Sequence, residues 1–492
     1  MKSVLAIDQG TTGSTCLVVG QDGAVLGRGY RELTQYFPQP GWVEHDAEEI
    51  WQCTLEAGRE ALERAGTSPN AVGITNQRET VVAWDRVTGK PLHRALVWQD
   101  RRTTQRCREL HAELGEAYLA ERTGLVWDPY FSATKIEWLL ENVPGLRERA
   151  QAGDALFGTI DAWLVFRLTS GASFVTDHTN ASRTALYNID RHEWDADLLS
   201  LFGVSSAWLP EIRGSSEIVG TTDGAHLGLE VPVAGIAGDQ QAALYGQGCW
   251  EPGQAKCTYG TGAFLLMNVG QRPEAGHAGG GLLTTIACDA AGAPTVALEG
   301  SIFIAGAAVQ WLRDGLNLIE SAGETEAIAR GVEGTGGVYF VPALVGLGAP
   351  HWEPEARGTI VGLTRGSTRG HLVRAALEAM AFGTRDIAQA MADVAAVELK
   401  VMKVDGGAAA NDWLMQFQAD VLGVRVSRPD VVETTALGVA GLAGLATGVW
   451  QTPQEFVSGR SYTDFAPQEQ RGTEYREWQR AVRAALHWAR DR

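Results

Sequence analysis

Residues 4–19, near the start of the chain, read VLAIDQGTTGSTCLVV, and this stretch decides the fold class. Two apolar runs, residues 4–7 and 16–19, flank a polar turn rich in Gly and Thr, and a further turn leads into a third short run. Short apolar runs separated by turn residues predict a meander of three β-strands. A related pattern recurs at residues 254–269, where two apolar runs flank a Gly-Thr-Gly turn. The chain is therefore predicted to contain two similarly built halves.

The rest of the chain alternates between helical and strand patterns. Apolar residues recur at the i, i+3, i+4 spacing of a helix in residues 48–65, 103–114, 132–142, 371–394 and 468–489. Strand-like runs punctuate them at residues 71–75, 231–236 and 400–404. Mixed elements on this scale predict an α/β fold. Gly and Pro cluster around residues 245–253, which predicts a boundary between domains at residues 1–247 and 248–492.

Composition limits the classes of function. The 492 residues carry 41 Lys and Arg against 59 Asp and Glu, a net charge of −18, and such a chain repels nucleic acid. The six cysteines lack the spacing of a zinc site, and scattered cysteines are typical of a reducing cytoplasm. We expect no signal peptide, because Asp8 interrupts the first apolar run. Residues 436–450 are too short for a membrane span and predict a closely packed, buried helix.

Phosphate-binding patterns distinguish the nucleotide-binding folds. The Walker pattern, the dinucleotide-binding GxGxxG and the protein-kinase HRD and DFG motifs are all missing from the sequence. Three Gly-rich turns remain, each after a predicted strand, at residues 8–13, 259–262 and 405–411. Small residues let the backbone approach a ligand and direct amides at phosphate oxygens, and Asp8 is placed to hold a hydrated Mg²⁺. Any one of these turns alone is consistent with an ordinary tight turn, whereas the three together favour a phosphate site.

These turns resemble the two phosphate loops and the adenosine segment of the superfamily that includes sugar kinases, actin and Hsp70. Within it the chain is similar to the FGGY carbohydrate kinases, and among those to the members that act on glycerol. Further stretches carry the resemblance, at residues 40–46 (PGWVEHD), 75–80 (TNQRET), 97–103 (VWQDRRT), 235–241 (GIAGDQQ) and 311–314 (WLRD). The resemblance implies two ribonuclease-H-like domains with the active site in the interdomain cleft. It also implies phosphorylation of glycerol by ATP with Mg²⁺.

The resemblance further implies roles for individual residues. The polyol is expected to contact Arg78, Glu79, Tyr130, Asp239 and Gln240, with Trp98 and Phe264 as an apolar wall. The nucleotide is expected to contact Thr11, Thr12, Gly13, Thr261, Gly306, Gln310, Gly407 and Asn411. The metal-proximal aspartate is Asp8, and the candidate general base is Asp239. The first domain then carries the polyol site and the first phosphate loop, and the second carries the nucleotide site and the second loop.

The chemistry of a triol agrees with these residue types. A site that selects it must offer matched donors and acceptors, which Arg78, Glu79 and Asp239 can supply. Neighbours on a strand point to opposite faces, so Arg78 and Glu79 can share one ligand only if they lie in a loop or at a strand end. Without the resemblance, this pair reads as a solvated charge pair at a turn. A carboxylate is a weak base at neutral pH, so Asp239 is expected to act mainly by positioning the hydroxyl.

Two positions depart from the pattern of the related kinases. Thr15 stands where many of them carry an arginine that reaches the nucleotide phosphates, which leaves amides and Mg²⁺ to hold the triphosphate. Residues 227–230 (LGLE) stand where some bacterial relatives carry a Gly-Gly-Thr-Arg loop that binds fructose 1,6-bisphosphate. Because Glu230 replaces the arginine, the chain is predicted to be insensitive to this effector.

Two alternatives remain open from the sequence. A sister FGGY kinase for another polyol or sugar would need a more open pocket at Trp98 and Phe264. A non-enzymatic scaffold with an ATPase fold would have no reason to keep the polyol-binding residues together. The expected partners are glycerol and ATP, without nucleic acid or a membrane span, and the expected assembly is a cytoplasmic homo-oligomer, either a dimer or a tetramer.

Overall fold

The computed structural model describes residues 2–273, 281–431 and 433–491. Its strands are β1 (Ser3–Gln9), β2 (Gly13–Gly20), β3 (Val25–Glu32), β4 (Glu44–His45), β5 (Ala71–Asn76), β6 (Val81–Asp85), β7 (Ala95–Leu96), β8 (Ala155–Thr159), β9 (Val175–Asp177), β10 (Tyr187–Asn188), β11 (Glu193–Trp194), β12 (Glu211–Arg213), β13 (Ser216–Thr221), β14 (Pro232–Gly238), β15 (Gln254–Tyr259), β16 (Ala263–Gly270), β17 (Leu283–Cys288), β18 (Pro294–Ile302), β19 (Tyr339–Val341), β20 (Thr359–Val361), β21 (Val401–Asp405), β22 (Arg425–Pro429) and β23 (Tyr462–Phe465).

The helices lie between and after these strands. They are α1 (Ala47–Ala65), α2 (Thr104–Leu114), α3 (Glu116–Thr123), α4 (Ser132–Asn142), α5 (Leu146–Gln151), α6 (Ile160–Leu168), α7 (His178–Ala181), α8 (Ala196–Leu201), α9 (Gly224–Leu227), α10 (Asp239–Gly246), α11 (Gly306–Asp314), α12 (Glu324–Arg330), α13 (Arg369–Ala395), α14 (Asp412–Leu422), α15 (Thr434–Ala446), α16 (Pro453–Ser458) and α17 (Gly472–Arg490). Short 3₁₀ turns cover Ser206–Trp208 and Gly407–Ala410.

The chain divides into two compact units, and neither is continuous in sequence. The first comprises Met1–Trp250, Thr284–Val296 and Glu433–Arg460, and the second comprises Glu251–Leu283, Ala297–Val432 and Ser461–Arg492. The assignment of separate roles to residues 1–247 and 248–492 stays a prediction.

The first unit is built on a sheet with the order β13-β14-β5-β1-β2-β3. The predicted meander is confirmed, since β1, β2 and β3 pair antiparallel, while β5 and then β14 add in parallel. The third strand runs on to Glu32, well beyond the short run seen in the sequence. Apolar side chains of β1 and β5 pack against α1 and α6 in a common core, with Ile7, Ile74, Trp51 and Trp163 among them. The parallel strands β1, β5 and β14 end at one edge of the sheet, where the candidate site residues follow.

The second unit repeats the central part of this topology. Strands β18, β16, β15, β21, β22 and β23 lie side by side in that order. Here β15 pairs antiparallel with β16 and parallel with β21, as β1 does with β2 and β5 in the first unit. The prediction of two similarly built halves is therefore confirmed, because each half has a hairpin followed by parallel strands.

The predicted helices form, and local chemistry explains where they begin. Helix α1 starts after Asp46, whose carboxylate accepts the backbone N–H of Glu48 at 2.9 Å, as an N-cap residue should. The last helix, α17, begins at Gly472 rather than at residue 468. The carboxylate of Asp420 accepts the backbone N–H groups of Gln468 and Glu469 at 2.8 and 3.4 Å, and these bonds hold the segment outside the helix.

Helix α15 fulfils the prediction of a buried, closely packed helix within residues 436–450. At Gly438 a Cβ atom would lie 1.8 Å from the carbonyl oxygen of Ala242, so glycine alone permits α15 to approach α10 this closely. In the part of the chain that the structure describes, no helix combines the length and the hydrophobicity needed to cross a membrane.

Candidate active site

Arg78 and Glu79 lie in the loop that joins β5, which ends at Asn76, to β6, which begins at Val81. The predicted departure from strand geometry is confirmed, and Glu79 adopts a left-handed backbone conformation with φ of 62°. A non-glycine residue in this region is uncommon, and such strain persists only where the surroundings hold it. The carbonyl of Glu79 accepts the hydroxyl of Ser132 at 2.9 Å, and both charged side chains are 2% exposed. The pair is therefore buried, so the interpretation of a solvated turn is wrong.

Two guanidinium groups and two carboxylates meet at this loop. The Nε–H of Arg183 donates to Oε1 of Glu79 at 2.6 Å, and Nε of Arg78 lies 3.7 Å from the same oxygen. Nε of Arg78 also lies 3.3 Å from Oδ1 of Asp239. Buried charges need such compensation, and these four formal charges sum to zero. Arg183 was missed by the sequence analysis, because nothing near it in the chain connects it with a glutamate 104 residues earlier.

Trp98 and Tyr130 form an aromatic wall beside Arg78. Their ring centroids are 5.5 Å apart with an interplanar angle of 71°, an edge-to-face contact. The Nη2 group of Arg78 donates to the hydroxyl of Tyr130 at 3.3 Å. The indole Nε1–H of Trp98 donates to Oγ1 of Thr11 at 2.9 Å. This wall therefore connects the arginine with the turn between β1 and β2.

Asp239 is the first residue of α10 and directly follows β14. Its side chain is 31% exposed, so one carboxylate oxygen can face a ligand while the other faces Arg78. The backbone N–H of Gln240 donates to Oδ1 of Asp239 at 2.7 Å. Both residues of the predicted Asp-Gln pair thus lie at the N-terminus of a helix, where a carboxylate is electrostatically favoured.

Two neighbours of Asp239 lie against Arg78, and neither is among the predicted site residues. A Cβ atom at Gly238 would lie 2.7 Å from Cγ of Arg78, so any larger residue there would displace the arginine. Oε1 of Gln241 accepts from Nη1 of Arg78 at 3.3 Å, and its Nε2 group donates to Oγ1 of Thr285 at 3.2 Å. Both residues belong to the motif at residues 235–241. The junction of a predicted strand with a helix in this motif is the sequence feature that could have indicated their role.

The turn between β1 and β2 carries Thr11 and Thr12, Gly13 is the first residue of β2, and Asp8 lies near the end of β1. Burial, together with the negative charge of Asp239, raises the pKa of Asp8 to about 7. A divalent cation beside these carboxylates would relieve both effects. Mg²⁺ binds through one or two carboxylates and keeps several waters, so Asp8, with Asp239 nearby, fits such an ion.

Thr15 lies on β2 directly opposite Asp8 on β1. Directly opposed residues on paired strands project to the same face of a sheet. A longer side chain at position 15 would therefore extend beside Asp8.

The remaining candidates lie in the second unit and cluster there around the β15–β16 turn. The backbone N–H groups of Gly306 and Ala307, at the start of α11, donate to the carbonyls of Gly260 and Thr261 at 3.0 Å each. The side chains of Thr261 and Gln310 are exposed. Phe264 is half-buried on β16, opposite Thr258. The two backbone hydrogen bonds of Gly306 and Ala307 join the start of α11 to the Gly-Thr-Gly turn.

The third Gly-rich turn follows β21 in the same unit. A Cβ atom at Gly406 would lie 2.4 Å from the carbonyl oxygen of Tyr259, which places this turn against the end of β15. Gly407 is exposed with open space around it. Asn411 caps α14, since its Oδ1 accepts the backbone N–H of Leu414 at 2.9 Å. Asn411 therefore has a structural role in addition to the predicted one.

Residues 3–246 match the N-terminal domain of the FGGY family of carbohydrate kinases, and residues 255–447 match its C-terminal domain. Glycerol kinase of Halorhodospira halophila is 55% identical, covering 99% of this chain and 97% of the relative. Glycerol kinase of Deinococcus radiodurans is 54% identical, covering 99% of this chain and 98% of the relative.

Solved structures share the fold over the whole chain. A crystal structure of Plasmodium falciparum glycerol kinase with ADP superposes with a TM-score of 0.93 at 37% identity, covering 99% of this chain and 98% of that one. A gluconate kinase from Lactobacillus acidophilus superposes with a TM-score of 0.86 at 19% identity, covering 99% of this chain and 97% of that one. The second likeness concerns the fold alone.

Proposed function

The chain belongs to the FGGY family of carbohydrate kinases, and we propose that it transfers the terminal phosphoryl group of ATP to glycerol, giving sn-glycerol 3-phosphate. The observation that carries this proposal is the cluster of Arg78, Glu79, Tyr130 and Asp239 in one unit of the molecule. The full-length similarity to glycerol kinases of several species supports the choice of acceptor.

Glycerol has a hydroxyl on every carbon and little apolar surface, so its recognition depends on hydrogen bonds. Arg78 and the hydroxyl of Tyr130 offer donors, while Glu79 and Asp239 offer acceptors. Each of these groups is already oriented by protein contacts, so a ligand that lacks a hydroxyl leaves a buried polar group unmatched. We assign Trp98 and Phe264 to the carbon backbone and Gln240 to a further hydroxyl.

In the proposed reaction Asp239 accepts a hydrogen bond from a terminal hydroxyl of glycerol. The hydroxyl oxygen attacks the γ-phosphorus in line, the bond from that phosphorus to the bridging oxygen breaks, and ADP leaves. The hydroxyl proton passes to the carboxylate of Asp239 as the new bond forms. Positioning contributes most of the rate, because phosphoryl transfer needs little proton abstraction early in the reaction.

We assign the nucleotide to the Gly-rich turns and the start of α11. Thr11, Thr12 and Gly13 in the first unit are proposed phosphate ligands. In the second unit the proposed contacts are Thr261, Gly306, Gln310, Gly407 and Asn411. Without a Walker lysine, amides and hydroxyls of these turns supply the donors. Mg²⁺, proposed to bind near Asp8, neutralises phosphate charge when present.

A second candidate is a sister FGGY kinase with another acceptor. Its only support is the shared fold of gluconate and xylulose kinases, at 19% and 24% identity. We further propose that the chain works as a homo-oligomer in the cytoplasm, where its six cysteines stay reduced.

The proposed function is tested by ADP release coupled to NADH oxidation. Glycerol, dihydroxyacetone, erythritol, xylulose and gluconate are compared as acceptors, with ATP alone as the blank. We expect glycerol to give the highest kcat/KM. A higher value for xylulose or gluconate would instead establish the sister kinase, and ADP release equal to the blank with every acceptor would refute kinase activity on this panel.

A further inference from the structure

Lys135 lies in the first turn of α4 and is completely buried. Its ammonium group donates to three successive backbone carbonyls, those of Pro129, Tyr130 at 2.9 Å and Phe131 at 3.4 Å. An ammonium group has three N–H donors, so these carbonyls match its full donor capacity. Tyr130, the middle residue, is one of the proposed polyol ligands.

The helix itself gives no reason for this lysine. A cation in the first turn of a helix is disfavoured by the helix dipole. Helix α4 begins at Ser132, so the carbonyls that Lys135 binds belong to the segment before the helix. Burial of the ammonium group adds a desolvation penalty. The hydrogen bonds of Lys135 instead fix the backbone conformation of residues 129–131.

The backbone N–H, ring and hydroxyl of Tyr130 also have protein contacts. Its backbone N–H donates to Oδ1 of Asp128 at 2.8 Å. Asp128 in turn accepts from Nη1 of Arg101 at 2.7 Å, and Arg101 belongs to the loop that carries Trp98. The hydroxyl of Tyr130 accepts from Arg78, and its ring contacts Trp98. Tyr130 is thus held at its N–H, its carbonyl, its ring and its hydroxyl.

We propose that Lys135 is a positioning residue for glycerol binding, which acts through Tyr130 by fixing the backbone of residues 129–131. This inference rests on the proposed function. Lys135 does not contact the reacting atoms, so its removal should weaken glycerol binding and leave the use of ATP nearly unchanged.

The first test is kinetic and uses Lys135→Met, which keeps the length of the side chain and removes the donors. We expect KM for glycerol to rise about tenfold, with kcat and KM for ATP within about twofold of wild type. Arg106→Ala is the matched control. Arg106 on α2 makes two contacts of 2.9 Å each with Glu137, which lies on the same helix α4 as Lys135, and the substitution removes this ion pair. The control should leave KM for glycerol unchanged.

A double-mutant cycle separates positioning from general stability. In a Tyr130→Ala background, Lys135→Met should no longer change KM for glycerol, because the residue it positions has lost its ring and hydroxyl. Additive effects, or equal losses for glycerol and ATP, would overturn the inference.

The second test is the pH dependence of the wild-type enzyme, which does not require any variant to fold. The groups that face Lys135 are the carboxylates of Asp100, Glu79 and Asp128 and the thiol of Cys107. Arg101 also lies close to this thiol.

Burial lowers the pKa of Lys135 to about 8 and raises the pKa of Cys107 to about 11. The ammonium form therefore predominates below pH 8, and one donor is lost above it, while Cys107 stays protonated. KM for glycerol should rise severalfold from pH 7 to pH 9 in wild type and in Arg106→Ala, and stay level in Lys135→Met.

The outcomes distinguish this inference from the proposed function. A wild-type protein that does not phosphorylate glycerol refutes the function. An active wild type whose KM for glycerol is level from pH 7 to pH 9, or is unchanged by Lys135→Met, refutes the role of Lys135 alone. If Lys135→Met does not fold, the wild-type series between pH 8 and pH 9 decides, because Asp8, with a pKa of about 7, is already mostly ionised there.

Discussion

Replacing Arg183 by methionine tests the buried charge cluster most directly. The Nε of Arg183 lies 2.6 Å from Oε1 of Glu79, and the two side chains are 0% and 2% exposed. Removing one partner of such a pair leaves a buried charge uncompensated and destabilises a protein by about 3–5 kcal/mol. Arg78, 3.7 Å from the same carboxylate oxygen, compensates only part of this loss because it also faces Asp239. We therefore expect thermal unfolding of Arg183→Met at a clearly lower temperature.

The same substitution should impair catalysis through Glu79. Without its partner the carboxylate favours the protonated form, and the left-handed backbone at φ of 62° loses one of the contacts that hold it. A loss of about 3–4 kcal/mol in transition-state stabilisation corresponds to a decrease of roughly 10² to 10³ in kcat/KM for glycerol. The assay is coupled ADP release with glycerol varied at saturating ATP.

Arg374→Met provides the matched control. Arg374 pairs with Glu378 at 2.9 Å on α13, with side-chain exposures of 9% and 6%, and neither residue is a candidate ligand. The control should lower the unfolding temperature and keep kcat/KM. The double variant Arg183→Met, Glu79→Gln should be more stable than Arg183→Met, and its kcat/KM should stay as low as that of Arg183→Met. If Arg183→Met retains kcat/KM within threefold of wild type, Arg183 does not support Glu79 and the reasoning is wrong.

Four further predictions concern the proposed base, a buried acid, the first phosphate turn and regulation. Asp239→Asn should lower turnover by about 10² to 10⁴ while the calorimetric affinity for glycerol changes far less, since the amide oxygen still accepts hydrogen bonds; wild-type turnover would exclude Asp239 as the base. Burial, and to a lesser extent the charge of Asp177, raises the pKa of Asp161 to about 7. Between about pH 4 and pH 7 the folded state therefore keeps a proton on Asp161 that the unfolded state has lost. Stability should therefore fall as pH rises through that range, and Asp161→Asn should flatten the fall in Tm; parallel curves for the two proteins would contradict this. Thr15→Arg, opposite Asp8, should tighten ADP binding by roughly 1 kcal/mol in calorimetry, and no gain in a folded variant would show that another group already fills this role. Millimolar fructose 1,6-bisphosphate at fixed free Mg²⁺ should leave glycerol phosphorylation unchanged, because the exposed Glu230 repels phosphate; a rate reduced by more than half would refute this.

The elements that the sequence predicted well are those encoded by local patterns. The hairpin of β1 and β2, its counterpart of β15 and β16, and α1 with its Asp46 cap all depend on residues close together in the chain. The later start of α17 depends on Asp420, which lies about 50 residues upstream, and no local pattern contains that information. Loop placement of Arg78 and Glu79 was predictable because the strand patterns on either side stop short of them.

The supporting residues of the site were not predictable for a related reason. Arg183 and Lys135 are buried cations, and sequence alone favours the reading that such residues face solvent. Their partners are a carboxylate 104 residues away and a set of backbone carbonyls, and neither leaves a pattern of residue types. The left-handed backbone of Glu79 was equally hidden, because glutamate has no preference for it.

The charge balance of the cluster bears on which acceptor the site can take. Arg78 and Arg183 already face Glu79 and Asp239 at distances from 2.6 to 3.7 Å, so these four charges balance one another before any ligand enters. A neutral triol leaves this balance intact and adds hydroxyls that match the donors and acceptors. Gluconate would bring a carboxylate beside Glu79 and Asp239, and its pairing with a guanidinium would have to break an existing buried pair, at a cost of several kcal/mol. A gluconate kinase shares the fold at 19% identity, so the pairing of these four charges, rather than the architecture, favours glycerol over an anionic sugar acid.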